Sequence, residues 1–163
     1  MAPPIYAIAL GSNRRSRHGS PADTVKAAAE ALGVERLSAL HSTTALGPAG
    51  RGFTNAAALV SSARDPADFL AELKAIERSF GRRPGRRWGP RVLDLDIILW
   101  SEGFYEAQGL VIPHPSFRER RFVLDPLAEI APNWRDPLTG LTVRQLSAGL
   151  AARRPVDRHP PRA

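Results

Sequence analysis

Residues 87–100, RWGPRVLDLDIILW, contain an apolar, β-prone run with two aspartates, Asp94 and Asp96. Because successive side chains of a strand point to opposite faces, both carboxylates lie on one face and Leu95 points the other way. They would be roughly 6.5–7 Å apart, which suits the joint binding of one or two hard cations. The alternative is a solvated face of an edge strand. The apolar residues 97–100 favour a buried strand, where two unpaired carboxylates would cost stability.

A strongly basic segment directly precedes this strand. Residues 81–91, GRRPGRRWGPR, contain five arginines, three glycines and two prolines. Guanidinium groups bind phosphate oxygens through paired hydrogen bonds. The acidic pair and the basic segment together indicate a site for a metal-chelated polyphosphate.

Composition bounds the class of protein. The chain has 163 residues, is 43% hydrophobic and lacks cysteine, which fits one domain without disulfides or thiolate metal sites. No apolar run approaches the ~20 residues that span a bilayer, and the N-terminus does not resemble a signal peptide. We therefore expect a cytoplasmic monomer without membrane contact. We also expect a single domain over residues 1–152 and a disordered basic tail over residues 153–163.

The order of predicted elements gives the fold class. Capping residues and hydrophobic periodicity predict helices over residues 21–32, 66–80, 117–130 and 141–152. Strands are predicted over residues 4–10, 53–61, 92–100 and 108–112, and a strand that runs into a loop over residues 34–46. A turn is predicted at residues 11–13 and a flexible loop at 47–52. The order β-α-β-β-α-β predicts an α/β (α+β) fold. Its ferredoxin-like core has a mainly antiparallel sheet, followed by an extra short strand and C-terminal helices.

The segment around the acidic pair resembles a family signature. The order is that of 6-hydroxymethyl-7,8-dihydropterin pyrophosphokinases of folate biosynthesis, carried here by Trp88, Gly89, Pro90, Arg91, Asp94, Leu95 and Asp96. The resemblance covers roughly residues 4–150. It implies transfer of pyrophosphate from ATP to the hydroxymethyl group of the pterin, with release of AMP.

The resemblance also implies which residues bind the nucleotide and metal. Asp94 and Asp96 would hold two Mg²⁺ ions, and Arg82 and Arg91 would stabilise charge on the transferred phosphates. The implied ATP-binding residues are Glu77, Arg82, Trp88, Arg91, His114 and Arg120. Lys74 stands where the family has glutamine, so we leave it out, and Lys74 and Glu77 could simply pair on the helix surface.

The implied pterin-binding residues come from two parts of the chain. They are Thr43, Leu46, Phe53, Asn55 and Phe122. An asparagine amide suits the paired donor and acceptor edge of the pterin ring, and phenylalanine rings can stack on it. Without the resemblance, Asn55 would be a turn or edge residue, His114 a structural histidine between prolines, and Phe122 a core residue beside a solvated basic turn.

Three other functions fit parts of the sequence less well. A basic nucleic-acid-binding module without catalysis would explain the net charge of +7, but not the acidic pair. Another type of ATP-dependent kinase lacks support because no G-x-x-x-x-G-K-[ST] loop is present. A zinc enzyme lacks it because the four histidines do not have ligand spacing. We expect ATP and the pterin as small-molecule partners, and no nucleic acid.

Overall fold

A five-stranded antiparallel sheet forms the centre of the fold. The structure is a computed structural model that describes residues 2–43, 52–81 and 92–153. The strands are Ile5–Ser12 (β1), Arg36–Leu37 (β2), His41–Thr43 (β3), Phe53–Ser61 (β4) and Asp94–Trp100 (β5). They are ordered β2-β4-β1-β5, and β3 also pairs with β4.

The remaining elements surround this sheet. Two helices lie between strands in the sequence, namely α1 (Pro21–Leu32) and α2 (Pro66–Ser79). After β5 come the hairpin strands Tyr105–Ala107 (β6) and Leu110–Ile112 (β7), a 3₁₀ turn at Phe117–Glu119, and the helices Arg121–Ile130 (α3) and Val143–Arg153 (α4). The predicted ferredoxin-like βαββαβ core with C-terminal helices is confirmed. None of the described helices is long and apolar enough to cross a membrane.

Local signals explain where α1 begins and ends. The Ser20 side chain accepts a hydrogen bond from the Asp23 N–H, and the Asp23 side chain accepts one from the Ser20 N–H. This capping box satisfies backbone donors that have no partner within the helix. Gly33 ends the helix with φ of 63°, a conformation that glycine adopts without strain. The predicted bounds of this helix are confirmed.

The two faces of the sheet carry separate cores. The first face packs against α1 and α2 through large side chains such as Tyr6, Ile8 and Leu73, all fully buried. The second face packs against α3 and α4, and its strands contribute small residues such as Ala7 and Ala57. Small side chains let α3 approach the strands closely, so α3 covers this part of the second face.

The chain from residue 34 to 46 differs from the prediction. Instead of one strand, its described part forms the short strands β2 and β3. Between them, the Ser38 hydroxyl oxygen accepts the Ala57 N–H at 2.9 Å. A side chain thus occupies a ladder position and interrupts the regular pairing. The predicted turn at residues 11–13 is also wrong for Gly11 and Ser12, which pair with β4 as the end of β1.

The elements after β4 also differ from the prediction. The predicted short strand is half of a hairpin, because β6 was missed. The predicted helix over residues 117–130 breaks at Arg120, while Pro126 lies inside α3. The last helix starts at Val143, where the Thr142 hydroxyl accepts the Gln145 N–H at 3.1 Å. The apolar part of β5 is buried as predicted, but β5 is an edge strand of the sheet.

We expect Leu73→Ala to lower the free energy of unfolding by about 2–5 kcal/mol. Leu73 is fully buried in the first core, and the truncation leaves a cavity between α2 and the sheet. The matched control is Leu138→Ala, at a side chain that is 65% exposed, which should change stability little. Urea denaturation of both variants measures the difference, and equal effects would contradict this assignment of the core.

Candidate active site

A row of residues crosses one face of the sheet. Asn55 of β4 lies directly opposite Gly11 of β1, and Gly11 lies directly opposite Asp94 of β5. His41 of β3 extends the row, because it lies opposite Asn55. Directly opposed residues present their side chains on the same face. The row therefore places the Asn55 amide and the Asp94 carboxylate on the two sides of Gly11, which has no side chain.

Gly11 is the centre of this row and has little space above it. A β-carbon added at Gly11 would lie 3.2 Å from Asn55 Oδ1, a tighter contact than side chains normally make. An alanine here would therefore push against the Asn55 amide. Sequence reasoning missed this residue because it treated Gly11 as part of a turn. The available signal was the small residue at the end of an apolar strand.

The predicted acidic pair lies on one face of the edge strand. Asp94 is half-buried and Asp96 is exposed, while Leu95 between them is buried in the first core. Asp96 lies opposite Ala9 of β1. The prediction that both carboxylates share a face is therefore confirmed.

The acidic pair has the donor set of a hard-cation site. Within residues 2–43, 52–81 and 92–153, no group of three or more His, Cys, Asp or Glu residues could hold a metal ion. A cation at Asp94 and Asp96 would have these two carboxylates as ligands, with room for oxygens of water or of a substrate in the remaining positions. Mg²⁺ is commonly bound in this way, by one or two carboxylates together with phosphate oxygens. The residues present fit such an ion.

Glu77 lies beneath the acidic pair. Its side chain is buried, and its Oε2 accepts the Leu95 N–H at 2.8 Å. The outward-facing N–H of an edge strand is thereby satisfied. A surface pair of Lys74 with Glu77 is wrong, since Lys74 is exposed and Glu77 is buried.

His114 lies along the same edge. Its backbone N–H donates to the Ile98 carbonyl at 3.0 Å, which ties it to β5. Its Nδ1 accepts the Ser116 N–H at 3.1 Å, so the proton of the neutral ring lies on Nε2. Burial lowers the pKa of His114 below its ordinary value, the nearby Asp96 opposes this shift, and Arg120 adds to it. A carboxylate, a neutral imidazole donor and a guanidinium therefore lie close together.

The two aromatic residues predicted for the pterin are both exposed. Phe53 is two residues before Asn55 on the same face of β4, and it is 43% exposed. Phe122, in the first turn of α3, is 40% exposed, and its ring contacts the Arg120 guanidinium at 5.7 Å from the centroid. Thr43 lies opposite Phe53 on β3. Phe53 and Thr43 therefore lie on the same face of the sheet as Asn55.

The three arginines of the turn before Phe122 have different partners. Arg118 Nε and Nη2 donate to the two carboxylate oxygens of Asp136, at 2.5 and 2.8 Å. Arg121 pairs with Asp125 at 3.5 Å, with both side chains about 40% exposed. The Arg120 guanidinium instead lies over the Phe122 ring and close to His114. Of the three arginines, Arg120 is thus the one beside other predicted site residues.

The sequence analysis did not identify two further residues near Asn55, namely His41 and Glu129. A ring nitrogen of His41 contacts the Glu129 carboxylate of α3, and Glu129 also accepts the Ala39 N–H at 2.9 Å. This contact ties β3 to α3 beside Asn55. His41 could have been found, because it lies two residues before Thr43 and so shares its face.

Part of the predicted site lies outside the described residues. This applies to Leu46, to Arg82, Trp88 and Arg91, and to residues 154–163 of the predicted tail over 153–163, whose first residue is the last of α4. The described site residues form two groups. Asp94 and Asn55 flank Gly11, while His114 lies near Asp96 and Arg120, and Arg120 contacts Phe122.

The sequence resembles one family of known proteins. Residues 7–132 match the family model of 7,8-dihydro-6-hydroxymethylpterin-pyrophosphokinase. Proteins named 2-amino-4-hydroxy-6-hydroxymethyldihydropteridine pyrophosphokinase are 44% identical over 113 residues in Synechocystis and 40% identical over 139 residues in Pseudomonas aeruginosa. These alignments cover 69% and 80% of this chain, and 58% and 82% of the two relatives.

Solved structures agree with the fold. The crystal structure of Plasmodium falciparum HPPK-DHPS superposes with a TM-score of 0.71 at 13% identity, covering 93% of this chain and 42% of that one. This chain therefore spans less than half of that protein. At this identity the likeness concerns the fold alone.

The carboxyl of Asp136 should make stability depend on acidic pH. Burial alone would raise its pKa, but hydrogen bonds from Arg118, Thr139 and the Leu138 N–H outweigh burial and hold the pKa below its ordinary value of 3.8. A lowered pKa in the folded state gives stability that is present above the unfolded pKa and is lost as pH falls through the folded pKa.

We therefore expect the stability difference between wild type and Asp136→Asn to be about 3 kcal/mol at neutral pH. It should shrink as pH falls below roughly 4. Urea denaturation at several pH values measures it. Glu72→Gln is the control, because Glu72 pairs with Arg64 on the surface and the variant should differ from wild type by less than about 1 kcal/mol. A difference for Asp136→Asn that does not change with pH would contradict the role of the ionised carboxyl.

Proposed function

Since the chain belongs to the 7,8-dihydro-6-hydroxymethylpterin-pyrophosphokinase family, we propose that the row on its sheet binds the pterin alcohol and the neighbouring edge binds ATP. Its reaction transfers pyrophosphate from ATP to 6-hydroxymethyl-7,8-dihydropterin in folate biosynthesis, with AMP as the other product. The family match does not support the alternative of a nucleic-acid-binding module. The observation that carries the assignment of residues is the row from Asn55 to Asp94.

The pterin binds over Gly11. The Asn55 amide can donate and accept, which matches the paired polar edge of the ring. The exposed rings of Phe53 and Phe122 border this surface and offer stacking partners, and Thr43 and Leu46 complete the proposed pocket. Asn55 and Asp94 are two strand spacings apart, or roughly 10 Å. That distance suits a bicyclic ring held at Asn55 with its hydroxymethyl group directed toward Asp94.

Asp94 and Asp96 are the proposed ligands of two Mg²⁺ ions. Their position on one face of the strand, with Asp96 exposed, supports this assignment. When bound, Mg²⁺ would neutralise charge on the phosphates of ATP and favour the attacking hydroxyl. The role of this chain is to hold the two carboxylates at a fixed spacing beside the pterin hydroxymethyl group.

ATP binds along the edge beyond the acidic pair. The neutral His114 ring can donate from Nε2 to a phosphate oxygen, and the Arg120 guanidinium supplies positive charge next to it. Glu77 supports the edge through the Leu95 N–H and stays a proposed nucleotide contact. The other proposed ATP-binding residues, Arg82, Trp88 and Arg91, come from the basic segment that precedes β5 in the sequence.

The chemical step is an in-line displacement at the β-phosphorus of ATP. The pterin hydroxyl oxygen forms a bond to this phosphorus and loses its proton to solvent, while the bond to the oxygen shared with the α-phosphate breaks and AMP leaves with that oxygen. Such transfers depend on positioning and charge stabilisation more than on covalent catalysis. Arg82 and Arg91 are the proposed groups that stabilise the charge developing on the phosphates.

We also propose that the chain acts as a cytoplasmic monomer that binds two small molecules and no nucleic acid. Residues 1–152 would form the single pyrophosphokinase domain, with a disordered basic tail after them. Size-exclusion chromatography with light scattering tests the monomer.

Asp94→Asn and Asp96→Asn should each lower turnover by roughly 10²–10³-fold, because each removes one charge that would hold the metal–phosphate complex. The assay is incubation with ATP, Mg²⁺ and 6-hydroxymethyl-7,8-dihydropterin, with separation of AMP from ADP. Asp68→Asn is the matched control, since Asp68 is exposed in the first turn of α2. Release of ADP by wild type would overturn the reaction, and full turnover by either variant would overturn its assignment as a metal ligand.

Gly11→Ala should weaken pterin binding by roughly five- to tenfold, because the new methyl group displaces the Asn55 amide and costs about one neutral hydrogen bond. ATP binding should change by less than about twofold, since ATP lies beyond Asp94. Calorimetric titration of each ligand measures both affinities. Gly149→Ala is the control, because an added β-carbon there has no neighbour nearer than 4.0 Å. Equal weakening of both ligands would contradict the position of the pterin.

A further inference from the structure

One buried ion pair lies beside the proposed ATP site without belonging to it. The Asp136 side chain is fully buried, and the Arg118 side chain is 19% exposed. Arg118 donates two hydrogen bonds to Asp136, and the same carboxylate accepts the Leu138 N–H at 3.0 Å and the Thr139 hydroxyl at 2.8 Å. Four donors therefore fix this carboxylate in one orientation.

The Asp136 end of the pair belongs to a tight turn. The Asp136 N–H donates to the Leu141 carbonyl, and the Gly140 N–H donates to the Asp136 carbonyl, both at 2.8 Å. Arg135 and Thr142 form an isolated β-bridge that closes the turn. The Arg118 guanidinium also lies 4.7 Å from the centroid of the buried Phe117 ring. Arg118 thus contacts both a hydrogen-bonded turn and a buried ring of the second core.

The Arg118 end belongs to the segment that carries three proposed ligand-binding residues. Arg118 lies in the 3₁₀ turn between His114 and the start of α3, two residues before Arg120 and four before Phe122. The first turn of α3 has no side-chain cap hydrogen bond. The buried pair, together with the buried Phe117 side chain, attaches this segment to the rest of the fold just before the helix begins.

A buried ion pair is a poor source of stability. Replacing such a pair by apolar side chains often leaves stability unchanged, because desolvation offsets the attraction. Its distinctive property is geometry, since the planar guanidinium fixes both distance and orientation against a carboxylate. A displacement of reacting groups by about 1 Å can reduce catalysis by roughly 10²-fold. A contact with this geometry is therefore suited to positioning.

We propose that Arg118 and Asp136 are positioning residues for the reaction, which set the places of Arg120 and Phe122 without touching either substrate. This inference rests on the proposed function, because it takes Arg120 as a phosphate contact and Phe122 as a pterin contact. Arg121 is the internal contrast, since its ion pair with Asp125 is exposed and lies within α3.

The test compares Arg118→Lys with Arg121→Lys. Both retain the positive charge, but lysine cannot reproduce the two-donor fork. We expect Arg118→Lys to lower kcat/KM for both substrates by roughly tenfold or more. Arg121→Lys should stay within about twofold of wild type. Rates are measured where circular dichroism shows each variant to be folded, so that a loss of activity is not a loss of folded protein.

A double-mutant cycle separates positioning from a general structural effect. If Arg118 acts through Arg120, then Arg118→Lys should weaken ATP binding in the wild-type background and by less than about twofold in an Arg120→Ala background. Full additivity of the two effects on ATP binding would overturn the inference. Should Arg118→Lys fail to fold, Thr139→Val removes one hydrogen bond to Asp136 and should change the same quantities in the same direction, though less.

The cycle also keeps the two proposals apart. If Arg120→Ala leaves ATP binding unchanged, the proposed role of Arg120 fails. The pterin arm then decides the inference, through the same cycle with Phe122→Ala and the pterin affinity. Additive effects in that arm would overturn positioning, whereas non-additive effects would support it even without a role for Arg120.

Discussion

The register of β1 between β4 and β5 is the constraint on which the rest of the site depends. It places Gly11 between Asn55 and Asp94, so that two polar side chains from distant parts of the sequence border a gap on one face. A shift of one residue in either pairing would turn the polar side chains toward the opposite face. That face holds the first core, where Leu10 and Leu95 are buried. The core that stabilises the sheet therefore also fixes the geometry of the site.

The second face of the sheet combines packing with the proposed site. Ala7 and Ala57 pack into the second core with α3, while Gly11 and Asn55, further along the same strands, lie outside that core. The same helix carries Phe122 in its first turn. The ion pair of Arg118 with Asp136 ties the turn just before this helix to residues 136–141. One helix therefore both packs against the sheet and presents a residue of the proposed site.

Local signals in the sequence were sufficient for much of the fold. The capping box of α1 and the alternation around Leu95 involve residues within a few positions of each other, so they could be predicted without the structure. The role of Gly11 could not, because it depends on Asn55, which is 44 positions away and is brought close by strand pairing. The same holds for Glu77, whose partner Leu95 lies on another element. The roles of the site residues were predicted from the family resemblance, because residue spacing alone did not exclude purely structural roles for them.

The edge position of β5 explains how this strand tolerates two neighbouring aspartates. In a central strand, two neighbouring carboxylates would require a bound cation for stability. On this edge Asp96 is exposed, so water screens the repulsion between the two charges. Two backbone groups on this edge have hydrogen-bond partners on other elements. The Leu95 N–H donates to Glu77, and the Ile98 carbonyl accepts from the His114 N–H. The strand can therefore keep both carboxylates in place without a cation, which is compatible with the proposed binding of the metal together with the nucleotide phosphates.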